Sequence, residues 1–181
     1  MSIRSTFLSA IVVFATVSSA LAAIELSMRT TPIPETTNGV PHVQIGVEPV
    51  PDISEALLDK VAMLPGVDIR NTVISLPGAL GFWIKEDVKV ARPDVIVGGR
   101  EFAHIHPDGS LHASLPPALA KQAVETGWAV SHPWADQRPG WEGFVMIFDG
   151  EVWRAISMFL AALHLAQNVP FFLTKSSIRP K

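Results

Sequence analysis

Residues 100–115 leave this chain little choice of local structure. Arg100 to His106 and Leu111 to Leu115 both carry residues suited to strands, and Pro107-Asp108-Gly109-Ser110 separates them. Two such runs around a Pro/Asp/Gly turn form a β-hairpin. Its register depends on the loop. A two-residue Asp108-Gly109 loop would pair His106 with Leu111 and send His112 to the far face. A three-residue loop makes Pro107 and Asp108 the centre of a type I turn, with Gly109 left-handed at a bulge. Pro at the first central position and Gly at the third suit the longer loop, which pairs His104 with His112. Alternation along the strand then puts Arg100, Phe102, His104 and His106 on one face and Glu101 on the other. Three imidazoles are expected to gather there.

The 181 residues allow one domain and a short extra segment. With 14 Lys and Arg against 17 Asp and Glu, the net charge of −3 does not suit general nucleic-acid binding, which needs a basic surface. Hydrophobic residues at 48 % are enough for a folded core. The chain has no Cys and no Tyr. Disulfides, thiolate metal sites, Cys nucleophiles and phenolic acids are therefore excluded, and any chemistry falls to six His, the carboxylates, Arg, Lys, Ser and Thr.

Residues 5–24 are uncharged, follow Arg4 and end near Ala20-Leu21-Ala22. This pattern predicts a signal peptide or an N-terminal membrane anchor over residues 1–23. In either case the protein is exported (periplasmic or extracellular) or membrane-anchored, with membrane attachment through residues 5–24 in the second. Residues 24–50, rich in Pro, form an extended lead in which His42 to Val47 is read as an edge strand. The domain is placed at 51–170 and a tail at 171–181.

Asp52 and Glu55 have capping-box spacing ahead of a helix with Ile53, Leu57, Leu58, Val61 and Leu64 on its apolar stripe. Strands are expected at Val73 to Leu76 and Leu80 to Ile84 around Pro77-Gly78. Pro116-Pro117 opens a second helix facing inward through Leu119, Ala120, Ala123 and Val124 and closed by Gly127. Phe144 to Phe148 reads as a buried strand. Asp149 caps a last helix with Val152, Ile156, Phe159, Leu160 and Leu163 inward. Strands without regular βαβ alternation indicate an α+β domain, a mainly antiparallel sheet packed by about three helices.

Clustered His permit several chemistries. His104, His106 and His112 have the spacing of a ligand set for a divalent metal such as Zn or Fe. Gly99 and the His-x-His are similar to the start of the first cupin motif, but the Glu that motif carries is replaced by turn residues. Metal-free acid–base catalysis is the second option, and hydrogen-bonded His that merely fix a hairpin are the third. His132 follows in Ser131-His132-Pro133-Trp134, and Arg100 could hold an anion on the His face. His42 is either a loop residue or a rim member of the site. Trp128, Trp134 and Trp141 pack a core or wall an aromatic-substrate pocket. His164 is read as structural. Without a Gly-x-Ser-x-Gly elbow, a Ser nucleophile is not expected.

Arg100-Glu101-Phe102-Ala103-His104-Ile105-His106, Leu111-His112, Gly127-Trp128 and His132-Pro133 together resemble the fungal luciferase-like domain family, most closely its bacterial, uncharacterised branch. Pro41-His42-Val43-Gln44, Ser75-Leu76-Pro77-Gly78-Ala79 and Leu115-Pro116-Pro117-Ala118-Leu119-Ala120 extend the similarity to roughly residues 35–165. The resemblance implies an oxidoreductase of oxygenase type that adds O2 to a hydroxylated α-pyrone without a cofactor. One of His104, His106 or His112 would be the base, with His132 and Arg100 stabilising negative charge, and Glu101, Trp128, Trp134 and His42 would contact the substrate. The chain has Gly127-Trp128-Ala129 and Trp134-Ala135-Asp136 where the fungal pattern has Gly-Trp-Gly and Leu-Ala-Gly, so light emission is not carried over. The expected partner is a small-molecule ligand. A metal-dependent enzyme and a non-catalytic exported binding module are the alternatives.

Overall fold

The computed structural model describes residues 26–90 and 93–148. The first strands among the described residues form a two-stranded antiparallel ribbon, β1 (Glu35–Thr36) and β2 (Gln44–Ile45). Helix α1 (Pro51–Ala62) leads into β3 (Val67–Asn71) and β4 (Leu80–Ile84). A short 3-10 turn at Pro93–Val95 precedes the hairpin of β5 (Glu101–Ile105) and β6 (Leu111–Ser114). Helix α2 (Pro117–Glu125), β7 (Ala129–Ser131) and β8 (Phe144–Ile147) complete the described residues. Six strands form one sheet in the order β3-β4-β5-β6-β8-β7, with every neighbouring pair antiparallel. The fold is α+β, with two helices among the described residues.

Both helices follow from local chemistry. Pro51 starts α1, where its fixed φ fits and no N–H is needed. Asp52 lies in the first turn without acting as the cap, because Val50 occupies that position and no side chain caps it. The carboxylate instead faces the positive end of the helix dipole. Leu57 and Val61, four residues apart, are the buried stripe of α1. In α2, Leu119, Ala120 and Ala123 turn inward. Gly127, at φ +80, ends it with paired bonds from Gly127 N–H to the Val124 carbonyl and from Trp128 N–H to the Ala123 carbonyl, as the sequence led us to expect.

The helices share one sheet face with the core. Val67, Phe82, Ile84, Ala103, Ile105, Leu111, Ala113, Val145 and Ile147 supply its strands, and Trp128 joins them. Here two strand expectations are corrected. Val73 to Leu76 is an irregular loop, with Val73 72 % exposed and Ile74 41 % exposed. The strand is Val67–Asn71, whose register against Leu80–Ile84 turns Val67 and Ile69 to the core. His42 to Val47 contributes only Gln44–Ile45, paired to Glu35–Thr36 rather than to the edge of the large sheet. The lead nevertheless belongs to the folded body: Leu26 is in the core and Trp128 Nε1–H donates to the Ser27 carbonyl at 2.7 Å.

The hairpin adopts the three-residue loop. Gly109 N–H donates to the His106 carbonyl and His106 N–H to the Ser110 carbonyl, with Gly109 at φ +83. His104 is opposite His112 as a result. An L side chain at position 109 would have to enter the left-handed region, so Gly109→Ala should cost about 1–2 kcal/mol. Urea denaturation should show it, and an unchanged midpoint would mean that the loop relaxes to another form.

The uncharged stretch 5–24, the helix expected after Asp149, and His164 lie outside the described residues. Among the described residues, no helix is long and apolar enough to cross a membrane.

Candidate functional site: a histidine cluster on the second face of the sheet

The face away from the helices carries the polar information. Register places Gly81, His104, His112, Met146 and Val130 in one row across β4, β5, β6, β8 and β7. His106 extends the set one step beyond β5. His42 comes over it from the lead and His132 from the segment after β7. His112 is the hub. Its ring lies 4.9 Å from His106, 5.1 Å from His104, 5.2 Å from His42 and 5.5 Å from His132, centroid to centroid. All five rings are buried.

An aromatic wall closes one side. The His132 ring packs against Trp134, Trp141 and Phe144 at 5.1–5.3 Å. Phe144 also meets the edge of His112. Arg138 stacks on Trp134, 3.5 Å from the ring centroid, which fixes that indole from its other side. The Trp134 backbone N–H donates to His132 Nδ1, so a neutral His132 carries its own proton on Nε2.

A carboxylate stands behind His104. Trp83 and Phe82 pair with Glu101 and Ala103, leaving a bulge at Phe102. The extra residue reverses the expected alternation. Phe102 enters the core, and Glu101 turns to the His face above Gly81, where an added Cβ would stand only 2.9 Å from the Glu101 Cδ. Fully buried, Glu101 accepts from Thr72 Oγ1–H at 2.6 Å and from Val73 N–H at 2.9 Å. Its Oε1 is 3.2 Å from His104 Nδ1, an ion-pair distance without the alignment of a formed hydrogen bond.

His106 is held at both nitrogens. Asp108 accepts from Ser110 Oγ–H at 2.6 Å, so the hydroxyl oxygen is left to accept from His106 Nδ1–H at 3.0 Å. His106 Nε2 then carries a lone pair, and Ser75 Oγ–H donates to it at 2.8 Å. Asp108 also accepts from the Gln44 backbone N–H, tying the lead to the hairpin turn.

Burial keeps His42, His106, His112 and His132 uncharged. Desolvation lowers His42, His106 and His132 from 6.5 to about 4. Repulsion by neighbouring imidazoles adds to it at His106 and His132, Arg138 contributes at His132, and Asp108 opposes it at His106. His112 is pushed well below the usual imidazole range by desolvation and then by its four His neighbours. At neutral pH these four are proton acceptors or ligands. Three ring nitrogens, His42 Nδ1, His104 Nδ1 and His112 Nε2, are buried without a hydrogen-bond partner. Two triads, His42/His112/His132 and His104/His106/His112, bring ligand atoms within 4.8 Å of one another.

Residues 99–157 match the family model described as luciferase domain. This segment of the chain is similar to a luciferase domain. No curated protein matches the chain, and no solved structure does. The matched stretch holds the hairpin, α2, β7 and β8, and with them four of the five cluster histidines. His42 and Ser75 come from outside it.

Other residues singled out in the sequence are placed elsewhere. Arg100 does not face the cluster. Its guanidinium donates to the carbonyls of Ile84, Lys85, Glu86 and Val88 and pairs with Glu86 at 3.1 Å, so it staples the chain that follows β4. Trp128 packs in the core on the helix side, with Arg29 over its ring, and walls no site on the His face. Glu101 is beneath His104, out of reach of a ligand at the surface. Trp134 does line the cluster. Trp141, read from the sequence as a core or pocket-wall residue, lines it too, and Phe144, Ser75, Ser110 and Thr72 are members whose roles the sequence did not single out. A Ser two residues after the turn Asp was the one local hint of the Ser110 bridge.

Proposed function

We propose that the luciferase-like domain binds a small enolic or aromatic molecule on its histidine-lined face and oxygenates it without an organic cofactor. The supporting observation is a set of uncharged, buried imidazoles with unpartnered ring nitrogens beside a Trp/Phe wall. A flat ring stacks on Trp134 and Trp141, and an imidazole takes the enol proton. The resulting anion is electron-rich enough to pass an electron to O2. Combination at carbon forms a peroxide whose charge is stabilised by N–H donors such as His132 Nε2–H. With residues 5–24 read as an export signal or anchor, the reaction takes place outside the cytoplasm or at a membrane face.

His112→Phe tests this. Its Nε2 makes no hydrogen bond, so the substitution keeps ring packing while removing the nitrogens. O2 consumption with hydroxylated α-pyrones and catechols should fall about 10²-fold while the melting temperature moves little. Equal rates in the variant and the parent would remove the acid–base role.

A His-ligated metal enzyme is the second reading, favoured by the two triads that share His112. It demands rearrangement, since Ser75 must release His106 Nε2 or Trp134 N–H must release His132 Nδ1. Elemental analysis of the purified protein decides: near-stoichiometric Zn, Fe, Mn or Cu, with activity lost on chelation, would put this reading first.

A further inference from the structure

We propose that Ser75 is a nucleophile with His106 as its base, forming a second activity at the edge of the cluster: acyl transfer from small esters or lactones to water. Ser75 is in the loop between β3 and β4, partly exposed, and its hydroxyl is 2.8 Å from His106 Nε2. Behind His106, Nδ1–H bonds to Ser110 Oγ, and Ser110 passes the contact to the Asp108 carboxylate. Asp108 Oδ1 lies 4.0 Å from His106 Nδ1. A nucleophile, a base and an orienting carboxylate thus follow one another through hydrogen bonds, with a hydroxyl inserted before the last. The tautomer is the one the chemistry needs, because Ser110 and Asp108 hold the proton on Nδ1 and keep the Nε2 lone pair toward Ser75. Exposed Val73 and Ile74 beside Ser75 offer apolar surface to the acyl or ring portion of a substrate.

The step balances without oxidant or cofactor. Ser75 Oγ bonds to the acyl carbon as its proton moves to His106 Nε2, and the imidazolium formed is stabilised by Asp108 through Ser110. The ester C–O bond breaks, and the leaving alkoxide takes the proton from Nε2. Water, deprotonated by the same nitrogen, then attacks acyl-Ser75 and releases the acid and the free serine. The pairing could not be read from the chain because His106 is 31 residues after Ser75 and the two meet only when the loop folds onto the hairpin.

A fluorophosphonate probe tests it on the full chain under argon, where oxygenation cannot take place and its failure cannot be confused with this one. Displacement of fluoride should leave one phosphonyl group on Ser75, identified by peptide mass spectrometry. Ser75→Ala should abolish the adduct, and His106→Gln should slow labelling about 10²-fold. If His106→Gln does not fold, Asp108→Asn carries the same test through a labelling rate about tenfold lower. Parent protein that stays unlabelled, or that is labelled equally in Ser75→Ala, overturns the proposal. A lowered melting temperature in Ser75→Ala with no adduct in the parent does so too, since it marks a purely structural hydrogen bond.

Discussion

Acidification from pH 7 to about 4.5 should unfold this domain, and imidazoles rather than carboxylates should be the cause. His42, His106 and His132 are lowered from 6.5 to about 4, chiefly by burial, and burial lowers His112 well below 6.5 too. Between these values the unfolded chain binds protons that the native state refuses. Stability is therefore full above about 6.5 and falls as the pH drops toward 4, where the native rings begin to protonate and the loss levels off. At 1.36 kcal/mol per pH unit, each ring costs about 3 kcal/mol across that window. Repulsion between rings is shared, so the total is less than the sum of separate rings. Even two rings' worth, about 6 kcal/mol, is comparable with the 5–15 kcal/mol that holds a typical domain together. Urea midpoints at pH 7, 6, 5 and 4.5 should fall steadily. A flat profile across that range would mean that the cluster is hydrated or already charged.

Glu101→Leu should be the most damaging single substitution. It removes the acceptor of Thr72 Oγ1–H and Val73 N–H and leaves His104 facing an apolar chain. Breaking one partner of a buried charged network costs about 3–5 kcal/mol, and at this chain length that lowers the melting temperature by about 10 °C. The effect should spread, because Glu101 pins the start of the loop that carries Ser75. Glu101→Gln keeps an oxygen for the Val73 N–H and should recover a good part of the loss. A drop below about 1 kcal/mol in Glu101→Leu would show that the carboxylate does not hold this loop.

What was legible and what was not divides along the range of the forces involved. The hairpin register could be read because Pro107, Asp108 and Gly109 set the turn within a few bonds. The α2 span could be read from apolar spacing and from Pro and Gly at its ends, and the buried stripe of α1 from its spacing. The start of α1 could not: the spacing points to Asp52 as the cap, but Pro51 begins the helix without a side-chain cap. Val73 to Leu76 misled for the opposite reason: its strand-forming residues are a weak preference, and the sheet has its partner for β4 in Val67–Asn71 instead. The sides taken by Glu101 and Phe102 were reversed by a bulge that arises from pairing with β4, a strand about twenty residues earlier.

The amino-acid sequence by itself determined the antiparallel α+β design, the pairing of His104 with His112 and the presence of a histidine-rich face. Only the tertiary structure decided what meets that face. It brought His42 from the lead, Ser75 from the β3–β4 loop and His132 with Trp134 and Trp141 from beyond β7, and it kept Arg100 and Trp128 away. Turn geometry and strand alternation act between neighbours in the chain and are visible in it. Burial is satisfied by whichever distant segments fit together, and that becomes defined only when the sheet has closed.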